Sequence, residues 1–301
     1  MLDDNEHNIP GTVWNIYSIN LDGSNQKELA ENGGIYLLAG DNIIYGYISS
    51  MNLDGSNQHV LQPANLDPVD FSVSPDGTKI IFFADQILYL MNANGRNIYQ
   101  ITIPDSTLKR TNPSLSYDNK NIVFECSNGI YQINVNGENY IKLKNNPGKT
   151  SYTQPAFSPD NNNIIFAEYN DSTINWIALH YFNLASLQDT IIYRFSKGAG
   201  FYFEVSPHYT ILFTTGSNIH ELNINTLVDK IVTTGSDAHY SPDFSKITYI
   251  DPTNTFIDLI DLKTNIITGI KTSFSYYEGI SLPRLSPDGT KIIFEGATSQ
   301  Y

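Results

Sequence analysis

A nine-residue pattern, Ser74-Pro75-Asp76-Gly77-Thr78-Lys79-Ile80-Ile81-Phe82, returns along the whole chain. It recurs as Ser116-Tyr117-Asp118 with Ile122-Val123-Phe124, and as Ser158-Pro159-Asp160 with Ile164-Ile165-Phe166. Three further copies begin at Ser206, Ser241 and Ser286, and a worn copy runs from Leu37 to Tyr45. Successive copies are 37, 42, 42, 48, 35 and 45 residues apart. A period of about 40 residues restricts a chain to solenoids, propellers or arrays.

A second pattern interleaves with the first: apolar, often Tyr, any residue, apolar, Asn. It reads Ile16-Tyr17-Ser18-Ile19-Asn20, Ile48-Ser49-Ser50-Met51-Asn52, Leu88-Tyr89-Leu90-Met91-Asn92 and Ile130-Tyr131-Gln132-Ile133-Asn134. Weaker copies end at Asn183, Asn223 and Asp261. Several run into Asp22-Gly23, Asp54-Gly55, Asn94-Gly95 or Asn136-Gly137, pairs that supply the positive φ angles of tight hairpin turns. The Pro-Asp-Gly element turns the other hairpin, because Pro presets one turn dihedral. Each repeat thus holds four short strands, the content of a propeller blade. No stretch carries a capped helical stripe, so an all-β fold is expected.

The two hairpins are out of phase across the chain. It opens on an outer-type hairpin near Trp14–Leu29 and closes on an inner-type hairpin near Pro283–Glu295. A ring accounts for this, its last inner strands completing a blade with the first outer strands; closure also removes exposed sheet edges. Seven blades are expected, in a single domain over residues 1–301 with repeats spanning about 14–295. Six blades stay open if the cramped copy around Ile43–Leu61 is incomplete.

The Ser-Pro-Asp-Gly-x-Lys-Ile-x-Phe hairpin, followed by Ile-Tyr-x-Ile-Asn-x-Asp-Gly-x-Asn, resembles the TolB-type, WD-repeat-like β-propeller. The resemblance covers nearly the whole chain, from about Trp14 to Glu295. It implies a propeller and leaves function open, since such propellers include envelope scaffolds that hold partner proteins, domains of serine peptidases, and some lyases. An extracytoplasmic location, periplasmic, cell-surface or secreted, is the expectation from that resemblance. The acidic, polar opening Met1-Leu2-Asp3-Asp4-Asn5-Glu6 is unlike a secretory signal, so the alternatives are a signal already removed or a cytoplasmic protein.

Composition narrows the partners. Lys and Arg total 17 against 31 Asp and Glu, a net charge of −14, with a pI near 4.6. That field repels phosphate backbones, so no nucleic acid is expected. No apolar run approaches the ~18 residues of a membrane helix, so no membrane span is expected. A single cysteine, Cys126, makes an internal disulfide framework or a cysteine metal cage impossible.

No nucleophile elbow is present, since Gly216-Ser217 and Gly235-Ser236 lack the second glycine. No phosphate loop or dinucleotide fingerprint appears. The stretch Ser18-x-Asn20-x-Asp22-Gly23 resembles the start of a calcium loop, but Leu29 stands where a bidentate Glu is required. No metal site and no cofactor is therefore expected, apart from weak structural calcium at an acidic loop with no assignable residues. His180 and His220 take the slot that Tyr17, Tyr89 and Tyr131 hold elsewhere, which points to packing against a neighbouring blade.

Two sets of residues are left as binding candidates. Glu204, His239 and Arg284 share one repeat position, filled elsewhere by Ser72, Ser114 and Ala156, and so face one way near the channel. They make either a Glu–Arg ion pair between blades or a polar channel site. The other set lies on loops of one face: Phe201, Tyr202, Tyr276, Tyr277 and Tyr152, with Tyr169 and Trp176 from the longest insertion. Acidic Glu168, Asp171, Asp251 and Glu278 accompany them. Exposed aromatics among polar groups suit protein or sugar recognition, while aromatics that cap the core are the other reading. The expectation is a monomeric, non-catalytic scaffold for a protein or peptide, with carbohydrate as the second ligand class. The alternative is a polysaccharide-acting lyase or hydrolase, or the propeller of a larger peptidase.

Overall fold

Four-stranded antiparallel sheets repeat seven times in this computed structural model, and no helix occurs among the described residues. Those are residues 12–31, 33, 36–63, 66–104, 108–146, 148, 150–170, 176–196, 201–274 and 279–299. Each sheet is one blade, its strands in sequence order within the repeat, and the architecture is that of a seven-bladed β-propeller. The described residues fall into two compact units.

The first unit takes in residues 60–197 and 207–209. Its blades start with the strands Pro68–Val73, Arg110–Leu115 and Thr150–Phe157. The second unit takes in residues 2–59, 198–206 and 210–301. Its blades start with Tyr36–Ala39, Phe203–Val205, Ser236–Tyr240 and Ile280–Leu285. The cramped repeat is a full blade, with strands Tyr36–Ala39, Asn42–Tyr45, Ser49–Asn52 and His59–Val60.

The blade that joins the two ends of the sequence is the one the phase argument requires. Thr12–Asn20 pairs antiparallel with Lys291–Ser299 over nine residues, from Thr12 opposite Ser299 to Asn20 opposite Lys291. Lys27–Ala30 and Ile280–Leu285 flank that pair.

The repeat motif explains why each blade forms. Ser74 Oγ donates to Asp76 Oδ1 at 2.6 Å and accepts from the Lys79 amide at 2.9 Å, tying the hairpin from inside. Ser116, Ser158, Ser241 and Ser286 repeat the bond to Asp118, Asp160, Asp243 and Asp288. The fourth turn position needs a positive φ, which Gly77 and Gly289 adopt freely and Phe244 adopts at 57°. The strand after the turn is buried on both faces, so Ile80, Ile81, Phe82 and Phe83 read as one apolar run. Within the first unit neighbouring blades interlock through these residues, as where Ile81 and Phe83 join Ile122 and Phe124 in one cluster.

Third strands stack a ring on the Phe of the second. Tyr89 stacks on Phe82, Tyr131 on Phe124 and Tyr17 on Phe294. His180 stacks on Phe166 at 4.8 Å and His220 on Phe213 at 5.1 Å. The two histidines therefore pack on a ring of their own blade. Each also has its Nδ1 against a carboxylate nine residues on, Asp189 or Asp229.

Candidate functional site

Bulges in the first strands aim the candidate side chains. The register shifts between Ser236 and His239, and again between Ser281 and Arg284. Asp237 and Leu282 take the extra position with φ of 47° and 50°. A bulge leaves one residue unpaired and turns those after it, here His239 and Arg284. The Leu282 conformation is unfavourable for an apolar side chain, and Tyr36 secures it. The Tyr36 hydroxyl sits 2.5 Å from the Leu282 carbonyl and 2.6 Å from that of Ile293, its one proton donated between them. Thr248 Oγ1 donates to the Pro283 carbonyl at 2.6 Å, a second tie on the same segment.

On this frame Tyr202, Glu204, His239 and Arg284 come together within the second unit. Glu204 Oε2 accepts from the Tyr240 amide at 3.1 Å and stands 3.6 Å from His239 Nδ1. The Tyr202 ring lies 5.6 Å from the His239 ring, and its phenol and the Arg284 guanidinium are close enough to act on each other electrostatically. His239 is 2% exposed, and neither of its ring nitrogens has a hydrogen-bond partner. Arg284 Nε is likewise buried without one. Solvent reaches the cluster through Glu204, whose side chain is 23% exposed.

The charges follow from these contacts. Burial pushes the His239 imidazole below its ordinary value, and the Arg284 cation beside it pushes the same way. Burial alone raises the Glu204 carboxyl, but the neighbouring imidazole, Arg284 and the Tyr240 N–H outweigh it and hold the group low. Burial disfavours the Arg284 cation, which Glu204, Tyr202 and Tyr36 more than offset. Burial and Glu204 raise the Tyr202 phenol. At neutral pH these four groups are a cation, an anion, a neutral imidazole and a neutral phenol, and the Asp237 carboxyl also lies near enough to act on the imidazole.

The loop candidates divide. Phe201 is buried against Phe203 and Phe213, and Tyr152 is buried edge-on to Phe166 and His180. Glu168, expected on an exposed loop, is buried with its Oε2 at 2.9 Å from His180 Nε2. Asp189, on the other ring nitrogen, also takes Lys144 Nζ at 2.7 Å. Tyr169 and Trp176 sit half-buried on paired strands, and the Arg194 guanidinium covers the Trp176 ring at 5.1 Å. Asp251 caps its own turn through Thr253, Thr255 and Phe256. Asp171, Tyr276, Tyr277 and Glu278 lie outside the described residues.

Three residues at the cluster were not singled out from sequence. Tyr36 precedes the worn repeat, Glu295 follows the repeat Phe, and Asp237 is the bulge residue. A proline inside a first strand is the available signal for a bulge, as Pro283 after Leu282 shows.

A metal does not fit this donor set. Among the described residues, no three His, Cys, Asp or Glu side chains gather to hold an ion. His239 and Glu204 supply two donors, whereas a catalytic zinc-type site uses three protein ligands. Asp22 spends its Oδ1 on the Ser24 amide and hydroxyl, so the calcium-like stretch is a capped turn.

The sequence matches no family model and no curated protein. Solved structures match over most of its length. An oligogalacturonate lyase in complex with manganese aligns with TM-score 0.60 at 13% identity, over 94% of this chain and 82% of the lyase. TolB from Acinetobacter baumannii aligns with TM-score 0.55 at 16% identity, over 91% of this chain and 66% of that one. A Mycobacterium tuberculosis puromycin-hydrolyzing peptidase aligns with TM-score 0.62 at 12% identity, over 84% of this chain; the alignment spans about half, 48%, of the peptidase. At such identities the likeness establishes fold alone: the chain is a seven-bladed β-propeller, the fold it shares with these structures.

Proposed function

We propose that the protein is a non-catalytic scaffold that binds a protein or peptide partner at the Tyr202–Glu204–His239–Arg284 cluster. The observation that carries this reading is the gathering of half-buried Glu204 and Arg284 around the buried His239 ring. Tyr202 adds a half-buried aromatic beside them, of the kind that anchors interfaces. An extracytoplasmic location belongs to the same reading, by resemblance to envelope propellers.

The second reading, an enzyme acting on polysaccharide, rests on the fold likeness to the lyase, and fold does not carry function. Selecting displayed random peptides on the wild-type protein, against a Tyr202→Ala/Arg284→Ala decoy, tests the proposal. A peptide family that binds the wild type and loses at least tenfold on the decoy supports it. Peptides that bind both alike overturn it, as does turnover of an acidic oligosaccharide that Arg284→Ala abolishes.

A further inference from the structure

We propose that the protein forms a two-fold dimer, in place of the monomer expected from sequence, by pairing its outer strand Asp189–Ser196 with the same strand of a second copy. The dimer goes beyond the binding reading above, and its failure leaves that reading untouched.

Each blade ends in an outer strand whose far side has no ladder partner in its own sheet. Such an edge can recruit another chain, and proteins blunt it by keeping it short or by placing Lys on it. Six of the seven outer strands follow this rule. His59–Val60 and Tyr99–Ile101 have two and three residues. Lys27–Ala30, Ile141–Asn145, Asp229–Thr234 and Ile267–Lys271 each carry Lys. Asp189–Ser196 does neither, being eight residues long with the sequence Asp-Thr-Ile-Ile-Tyr-Arg-Phe-Ser. A register shift at Ile192 bends it, but Lys27–Ala30, Ile141–Asn145 and Asp229–Thr234 have such a shift and Lys in addition.

The two charges on this strand do not guard its edge. Asp189 turns inward to His180 and Lys144, and the Arg194 guanidinium lies over the Trp176 ring. Between them Thr190 and Ile191 are exposed, Ile191 by 37%.

The order of side chains fits self-pairing. An antiparallel pair centred between Ile191 and Ile192 sets Ile191 opposite the other copy's Ile192, Thr190 opposite Tyr193 and Asp189 opposite Arg194. The bulge makes this register consistent. Asp189, Ile191 and Arg194 lie across from Phe182, His180 and Ala178, alternate residues of the next strand, and so share one face. Opposite charges then meet at both ends and β-branched side chains at the centre, pairs that stabilise a sheet. The net charge of −14 on each copy opposes approach, but physiological salt screens it beyond about 8 Å. One edge is a small interface, so the dimer is weak and forms as concentration rises.

Sedimentation velocity on the full chain, from micromolar to near-millimolar concentration, reads the association. The mass should rise from 33.7 kDa toward twice that value and stop there. Ile191→Lys should weaken association at least tenfold, and Ile231→Lys, on the Asp229–Thr234 edge, should leave it unchanged. Amide hydrogen exchange reads the same edge without a variant: residues 190–195 should slow as concentration rises, while residues 229–234 do not. A mass of 33.7 kDa at every concentration overturns the proposal and leaves the edge to a strand of another protein. Growth past the dimer overturns it too, as does a folded Ile191→Lys that associates like the wild type. Exchange in residues 190–195 that ignores concentration has the same consequence.

Discussion

His239 Nδ1 stands 3.6 Å from Glu204 Oε2, beyond hydrogen-bond reach, although the ring is 2% exposed and has no other partner. A carboxylate this close would ordinarily draw a proton onto the imidazole. Burial oppose it here, and the Arg284 cation adds to the opposition. The ring therefore stays neutral at neutral pH. A folded-state value below the ordinary 6.5 means that the unfolded chain binds the proton more readily. This contribution to stability is complete above 6.5 and is lost as pH falls below it. NMR titration of His239 should give a midpoint under 6.5, and Arg284→Met should move it upward. A wild-type midpoint at or above 6.5 contradicts the account.

The turn aspartates predict a second acid response. Asp76 and Asp243 are each held down to about 2. For Asp76, burial works against the shift and is outweighed by hydrogen bonds from Ser74, Thr78 and Asn119. For Asp243 the leading cause is the Ser241 bond. Depressed carboxyls stabilise the fold above their unfolded value of 3.8, and that stability fades as pH falls toward 2. Urea unfolding between pH 5 and pH 2 should show a steep loss that Asp76→Asn/Asp243→Asn flattens. An unchanged slope in the double variant would falsify the assignment.

How much of this was legible in sequence depended on whether a side chain's role is local. The Ser-Pro-Asp-Gly hairpin is read directly, because Ser74, Asp76 and Lys79 bond to one another within six residues. The phase of the two hairpins likewise announced the pairing of Thr12–Asn20 with Lys291–Ser299. Glu204, His239 and Arg284 were found by their shared repeat position, since equivalent positions in equivalent blades face alike. The carboxylate at Glu168 was misplaced because its partner, His180, lies on the next strand, and acidic residues near a long insertion otherwise belong on the surface. Tyr36 was invisible for the same reason, its bonds reaching Leu282 and Ile293 at the far end of the chain.

The two histidine stacks differ in what they leave behind when cut. His180 meets carboxylates on both nitrogens, and Glu168 is nearly enclosed, with a side chain 11% exposed. His220 meets Asp229 and the neutral hydroxyl of Thr215. Phe in place of either histidine keeps the ring stack. His180→Phe strands a buried carboxylate and should cost about 3–5 kcal/mol. His220→Phe leaves only the more exposed Asp229 and should cost less than half of that. Equal losses in chemical denaturation would show that Glu168 is not held by His180.

Closure of the terminal blade is the next expectation. Removing residues 1–30 deletes two strands and bares the edge of Lys291–Ser299, a strand otherwise paired on both sides. Bare apolar edges recruit other chains. The truncated protein should aggregate or lose its cooperative unfolding transition. A soluble truncation with the wild-type transition contradicts the observed pairing.

Binding energy locates the site most directly. With a peptide selected on the wild type, calorimetric titration of Tyr202→Ala and Trp176→Ala compares the cluster with the edge of the longest insertion. Tyr202→Ala should lose about 1–3 kcal/mol of affinity, the usual cost of an interface anchor. Trp176→Ala, whose ring is already covered by Arg194, should bind as the wild type does. Full affinity in Tyr202→Ala together with a loss in Trp176→Ala contradicts the account, and places the partner on the insertion instead.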